Sequence, residues 1–525
     1  MIRLTSFISL VLLSGSTLWA QVLQNSDVHW SGTYRNGETK LDYIASLDSS
    51  YVMTYGNLFK LLGKSKNFYA RYDRQTLTKI WQVEEVIDRY AGALIEFHSM
   101  VTVGSTTYVY YRVDSKVDNF HYVLMRTIDR DGNLSDFKEL MKISYELYTM
   151  GNFRISWNRD LSSFAFVSFL VVSGNENLHI EVKRFDRDGA PIGGSSVQMV
   201  NAKGRVFLAD ADYALSGDVF VLAQRRPEQL KDEKAEIFAP NNEFFILHAN
   251  PNEEVIQEVA LGLKDKYVVG GIDVETDQGA GKVAVSGMYS VMRFGPKTGL
   301  FHLTLDQKTL ELATSDYKSF SDFEYLNDGR RDGTTIERHK TLINETYEFR
   351  GMLPREGGGS MVMIEDYYLE VLRWVRKGVS TDIPIYHFAN ITAMLVDAEG
   401  VIESISVIPK HQYSVGDDGY VSGFLVARDG ENFNFLFNDA KGNETRWLEH
   451  QAPRTMDEAS KAILTQVTLR PDGSLNYVPL VDTRKGGLFL IPKRGKSHIG
   501  LPGEAVIPGG KRGKLIFMHL RPEPN

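Results

Sequence analysis

The chain contains no cysteine. That excludes a disulfide framework, a thiolate metal site, a cysteine nucleophile and a lipid-modified cysteine. Long apolar runs are lacking too. After the N-terminus no stretch of 18 consecutive apolar residues occurs in the 525 residues, so no later segment reads as a membrane-crossing helix. Positive charge is not in excess: 59 Lys and Arg face 67 Asp and Glu, a net charge of −8, which argues against a general nucleic-acid binder. The twelve histidines never form pairs at zinc-ligand spacing, and no Gly-x-Ser-x-Gly elbow is present. Disorder is also excluded, because 43% of residues are hydrophobic, an ordinary share for a folded chain.

The N-terminus carries an address. Met1-Ile2-Arg3 supplies one positive charge, an apolar core follows around Phe7–Leu13, and Leu18-Trp19-Ala20 ends in a small residue. This is the pattern of a secretory signal peptide over residues 1–20, cut after Ala20. The mature chain, 21–525, is then expected to be exported to the periplasm or the outer-membrane periphery, or beyond the cell. Lacking disulfides, it must be stable by core burial alone.

What is present is strand. Short runs such as Phe164-Ala165-Phe166-Val167, Val219-Phe220-Val221-Leu222 and Phe433-Asn434-Phe435-Leu436-Phe437 alternate with Gly, Asn and Asp turns. One unit recurs: apolar strand, turn on Asp or Asn, second strand. The turns centre on Asp73, Asp129, Asp186, Asn250, Asp306, Asp397 and Asp472. Several are Asp-x-Asp-Gly or Pro-Asp-Gly, where Asp bonds its own backbone and Gly supplies positive φ. Their spacings are 56, 57, 64, 56, 91 and 75 residues. A period near 56 with about four strands predicts an all-β fold, a β-propeller of about seven four-stranded blades, with six or eight as alternatives. Terminal strands around Gly32–Met53, GLFLIPKRG and KLIFMHL are expected to close the ring. The polar stretch near 320–345 reads as an insertion, and Met456–Ile463 as a short helix. The competing fold is two all-β domains split near 320–345.

Candidate chemistry fails on inspection. Asp129-x-Asp131-x-Asn133 opens like a calcium loop, but Leu134 stands where Gly is needed and Leu140 where Glu is needed. Gly279-Ala280-Gly281-Lys282 lacks the upstream Gly of a phosphate loop, and Val283 follows the Lys. Gly357-Gly358-Gly359-Ser360 reads as a flexible entry to a strand, and His387 as a hydrogen-bonded structural histidine. Paired carboxylates occur, as in Asp210/Asp212 and Glu365/Asp366, without a separation that sequence can supply. No catalytic, cofactor-binding or metal-ligating residue is assigned. One asymmetry stands out. From Arg484 to Arg521 nine Lys and Arg face only Glu504, a local charge of +8. Basic edge strands that resist aggregation account for this. A patch for an anionic partner, built on Lys493, Arg494, Lys496, Lys511, Arg512 and Lys514, is the sharper reading.

ISWNRDLSSFAFVS resembles the repeat of Tol-Pal-type periplasmic propellers. The stretches EGGGSMVMIEDYYLEV (356–371), YHFANITAMLVDAEGVIESISVIPKHQ (386–412) and FLFNDAKGN (435–443) resemble a group of secreted, uncharacterised propeller-like proteins of Bacteroidota. The resemblance covers about a third of the chain. It implies export, a β-propeller and a Gram-negative envelope, and it carries no catalytic residue. Together these readings lead to an exported, non-enzymatic propeller that binds a protein or glycan partner in the cell envelope. The alternatives are a carbohydrate-active hydrolase or lyase with carboxylates at the propeller centre, and a membrane-peripheral assembly factor using the basic C-terminal patch. When the chain is expressed with its own N-terminus in a Gram-negative host, the product is expected in the periplasm with Gln21 first. N-terminal sequencing checks this, and a cytosolic product beginning at Met1 would contradict it.

Overall fold

A computed structural model describes residues 21–22, 27–30, 34–35, 41–47, 51–58 and 66–521, apart from 87–88, 201, 203–204, 226–242, 264, 278–280, 293–295, 323–346, 377–378, 417–418, 450, 487, 495, 498–502 and 512–513. The signal-peptide stretch 1–20 and nearly all of the expected insertion near 320–345 lie outside the described residues. The described residues form eight antiparallel sheets, most with four or five strands. Seven follow one another along the chain, beginning at Leu41, Arg89, Tyr148, Val206, Tyr267, Tyr347 and Phe424. They are called here the first to the seventh.

The seven Asp and Asn turns are in phase with these sheets. Each joins the third long strand of its sheet to the fourth, as Asp73 joins Lys66–Asp73 to Lys79–Val86. In all seven the turn residue's own side-chain oxygen accepts a backbone N–H further on. The donors are Thr76 for Asp73, Asn133 for Asp129, Ala190 for Asp186 and Asn252 for Asn250. They are Thr309 for Asp306, Val401 for Asp397 and Ser474 for Asp472. The backbone bond holds Asp306 below the usual carboxylate range, and the Ser474 side chain followed by its N–H does the same for Asp472. The turns are therefore closed by their own backbone, and no metal-binding cluster occurs among the described residues.

Middle strands read as unbroken apolar runs because both faces of each sheet are covered. Val219 and Val221 point to the third sheet and pack with Val167 and Phe169. Phe220 and Leu222 point the other way and pack with Val283 and Leu303 of the fifth. The pattern continues around the molecule. Met288 and Leu300 of the fifth sheet meet Val362 and Ile364 of the sixth, so one core spans the stretch 323–346. Met363 and Ile391 meet Phe433 and Phe435 of the seventh. On the other side Tyr110 meets Phe166, and Tyr69 meets Tyr111.

The eighth sheet is made from both ends of the chain. Asp27–Trp30 and Tyr34–Arg35 pair with Lys514–Arg521, which pairs in turn with Ala505–Lys511. Gln21–Val22 adds to the outer edge of the seventh sheet through Val481 and Asp482. The eighth sheet packs on the seventh through Ile507 and Ile516. It meets the first through the Tyr72–Phe517 ring pair, 4.8 Å between centroids, and the Arg74–Glu504 ion pair at 2.7 Å. The ring is a β-propeller closed by terminal strands. Among the described residues Asp27–Trp30 and Tyr34–Arg35 serve the closure, whereas Leu41–Leu47 already begin the first sheet.

Two local expectations differ from the structure. Residues 456–463 carry no α-helix: Met456 bridges to Gln412, a single 3₁₀ turn covers Ala459–Lys461, and a strand starts at Ile463. The α-helix of this region is Asn443–Leu448 instead. The wide spacing before Asp397 is also partly strand, because Ser360–Arg376 and Val379–Val396 form a hairpin far longer than the others. Deleting residues 21–35 is expected to lower the melting temperature and to drive association through the bared edge of Lys514–Arg521. Calorimetry and size-exclusion chromatography read both effects; a monomer of unchanged stability would contradict the closure.

Candidate functional site

The innermost strands of the third to sixth sheets touch in succession: Tyr148–Trp157, Val206–Tyr213, Tyr267–Asp277 and Tyr347–Pro354. Acidic side chains tie each to the next. Asp210 accepts the N–H of Val274 at 3.2 Å, and Asp212 accepts that of Thr276 at 2.7 Å. Asp273 accepts the N–H of Met352 at 3.2 Å. Arg154 bonds Asp210 from the other side. The Asp210/Asp212 pair seen in the sequence is thus used in joining sheets. Burial pushes the Asp273 carboxyl up, against those backbone N–H bonds.

The sixth and seventh sheets part at the centre. Between Tyr347–Pro354 and Phe424–Asp429 lies a cleft of about 510 Å³. Its apolar wall includes Leu353, Met363, Phe424, Leu425 and Val426. Its polar groups are Glu348, Arg350, Glu365 and Lys493, with Tyr367 and Phe388 between them. Glu348 and Glu365 face each other across neighbouring strands. Arg350 is the extra residue of a β-bulge, so the backbone turns its side chain between them. Its Nη1 lies 2.6 Å from Glu348 and its Nη2 lies 2.6 Å from Glu365.

Behind the cleft sits Lys410, fully buried, with Nζ 2.7 Å from Glu365 Oε1. It also donates to Phe388 O and Gln412 Oε1, both at 3.2 Å. Gln412 passes the network on: its oxygen accepts the Gly423 N–H and its amide donates to Asn438 O. Asn438 donates to Leu490 O of the eighth sheet at 2.9 Å. One hydrogen-bonded chain therefore joins three sheets. Burial lowers the Lys410 ammonium's proton affinity, and the Glu365 carboxylate opposes this. Nearby Asp439 is pushed up to about 6 by burial, against hydrogen bonds from Tyr477, Asn443 and the Ala440 N–H.

Of the basic residues singled out by charge, Lys493 lines the cleft and its ammonium lies 5.7 Å from the Phe388 ring centre. Arg494 stacks on Tyr420 at 4.5 Å. Lys496 pairs with Val506, and Lys511 faces Lys514 at the end of the terminal hairpin, while Arg512 lies outside the described residues. The structure thus brings the Lys493 position into a cavity and leaves the Lys511 hairpin as a sheet end. His387 stacks on Tyr368 at 4.2 Å and bonds Glu370 at 3.2 Å, as a structural histidine does. Arg350, Lys410 and Phe388 were not marked by the sequence. A bulge leaves no residue-type signature, and a lysine between Pro409 and His411 reads as exposed.

No protein-family model matches the chain, and no curated protein matches it significantly. Among solved structures, the β-propeller domain of the Trilobed protease from Pyrococcus furiosus, described as having an open velcro topology, is similar over 83% of this chain and 95% of that one, at 10% identity and a TM-score of 0.34. A cobalt-substituted Synechocystis apocarotenoid oxygenase is similar over 66% of this chain and 67% of its own, at 11% identity and a TM-score of 0.32.

Glu365→Gln leaves Lys410 buried without its carboxylate and is expected to cost about 3–5 kcal/mol in urea unfolding. Adding Lys410→Met to that variant is expected to restore part of the loss. Strict additivity of the two single changes would show that the ion pair is not the coupling element.

Proposed function

We propose that this is an exported, non-enzymatic propeller of the cell envelope, and that the cleft between the sixth and seventh sheets takes its protein or glycan partner. The observation that carries the reading is the state of the carboxylates lining the cleft. Glu348 and Glu365 are both clamped by Arg350, and Glu365 is held a second time by Lys410. General acid catalysis on a glycosidic bond needs one carboxyl free to carry and give a proton. Two carboxylates sharing one guanidinium are instead arranged as a fixed polar floor. Above it, the apolar wall and the volume of about 510 Å³ suit recognition.

Leu353→Trp is a cavity-filling change at a half-buried position. Envelope extract passed over the immobilised chain is expected to yield a retained component that this variant no longer retains. Turnover of any glycan or peptide substrate that Glu348→Gln abolishes would overturn the non-enzymatic reading.

A further inference from the structure

The seam between the eighth and the first sheet is fastened by charged groups as well as by rings. Side chains alternate along Lys514–Arg521. Ile516, Met518 and Leu520 pack with Leu436 and Leu480 of the seventh sheet. Phe517, His519 and Arg521 take the other face, where Phe517 meets Tyr72 of the first sheet. Beside that ring pair, Arg521 Nη2 donates to Gln75 O at 2.7 Å, and Arg74 Nη1 lies 2.7 Å from Glu504 Oε2.

His519 stands between these two bonds and is fully buried. Its Nε2 lies 3.1 Å from the same Glu504 oxygen, and its Nδ1 lies 3.3 Å from Arg521 Nε. A guanidinium only donates and a carboxylate only accepts. The imidazole is therefore neutral, with its proton on Nε2 and the Nδ1 lone pair facing Arg521. A second proton would remove the bond from Arg521, set N–H against N–H and add a third cation beside Arg74 and Arg521. Burial is the main reason that His519 takes a proton less readily than an ordinary histidine; Glu504 opposes this, and Arg521 and Arg74 add to it.

Other charged groups belong to the elements packed there. Asp73 is held by the N–H and Oγ1 of Thr76 in its own turn. His29 and Asp27 stand opposite His519 and Arg521 in register, and Lys496 stands opposite Val506. Asp42 is on Leu41–Leu47, the first-sheet strand in contact with the eighth sheet. Lys493 and Arg494 of the neighbouring 3₁₀ turn are directed to the cleft and to Tyr420.

We propose that this seam is an acid-sensitive latch. Proton uptake at His519 breaks the Arg521 contact and frees the eighth sheet from the first, while the apolar core shared with the seventh keeps it attached on that side. The folded chain binds this proton less readily than the unfolded one. The closure is therefore at full strength above about pH 6.5 and weakens as the pH falls below that value. In acid the ring opens at one place and bares the face that carries Tyr72. This is independent of what the cleft binds.

Hydrogen exchange of the full chain, read by mass spectrometry and corrected for the intrinsic pH dependence of exchange, tests the latch. Between about pH 7.5 and 5.5 the opening of Lys514–Arg521 is expected to become roughly tenfold more frequent, as one proton allows, while Ser163–Val172 in the third sheet stays protected. His519→Gln offers an acceptor to Arg521 and a donor to Glu504 but does not titrate. It is expected to keep the protection at the higher pH and to lose the pH dependence. If that variant does not fold, Arg521→Met takes its place: with no guanidinium facing Nδ1, the rise in acid is expected to be shallower. Four results would overturn the latch. They are unchanged protection of Lys514–Arg521 at the lower pH, a rise shared equally by Ser163–Val172, a rise that begins only where carboxylates titrate, below about pH 4.5, and a rise undiminished in the variant.

Discussion

A sheet that is apolar on both faces has no stable existence by itself. Val219 and Val221 need one neighbour, Phe220 and Leu222 need another, and the demand passes from sheet to sheet until it returns to its start. Every other feature answers to that constraint. The turns closed by Asp or Asn lead the third long strand of each sheet back into the fourth. The aspartates of the innermost strands fix how far one sheet rotates against the next. The terminal strands supply the eighth sheet that the other seven cannot do without.

Between the sixth and seventh sheets the innermost strands are not drawn together. From the fourth sheet to the fifth and from the fifth to the sixth a carboxylate reaches from one innermost strand to the next backbone N–H, but between the sixth and seventh sheets the joining groups lie further out, in the Lys410, Gln412 and Asn438 network. Moving the fastening outward leaves the centre open. The same buried lysine that holds the sheets also fixes Glu365, and through it Arg350, so the floor of the cleft is set by the packing of the ring. On the reading proposed above, the partner meets a floor that is already ordered, which lowers the ordering cost of association.

The fold was largely legible because its strongest signals are local. Asp with Gly closes a turn by its own bonds, and a run such as Phe244–Leu247 can only lie between two sheets. The count of turns missed the eighth sheet for an equally local reason: its strands meet through Lys511 and Lys514 rather than through an Asp turn, and two of them come from the other end of the chain. The cleft was mostly hidden. Its lining is drawn from residues 348 to 493, and a one-residue bulge decides where Arg350 points. Lys493 gave a sign in advance through the uneven charge of the last forty or so residues, and Glu365 as half of the Glu365/Asp366 pair.

The pairing of Asp27 with Arg521 has a temporal side. During synthesis the sheets can form in order, each covering the last, but the first sheet must wait with Tyr72 facing nothing until Phe517 exists. The ring is thus complete only once Lys514–Arg521 has been made. A chain cut short before Lys514–Arg521 keeps a bare apolar face and an open strand edge, marks that proteases and chaperones read. The ring carries its own proofreading: only a copy that reaches Arg521 can hide them.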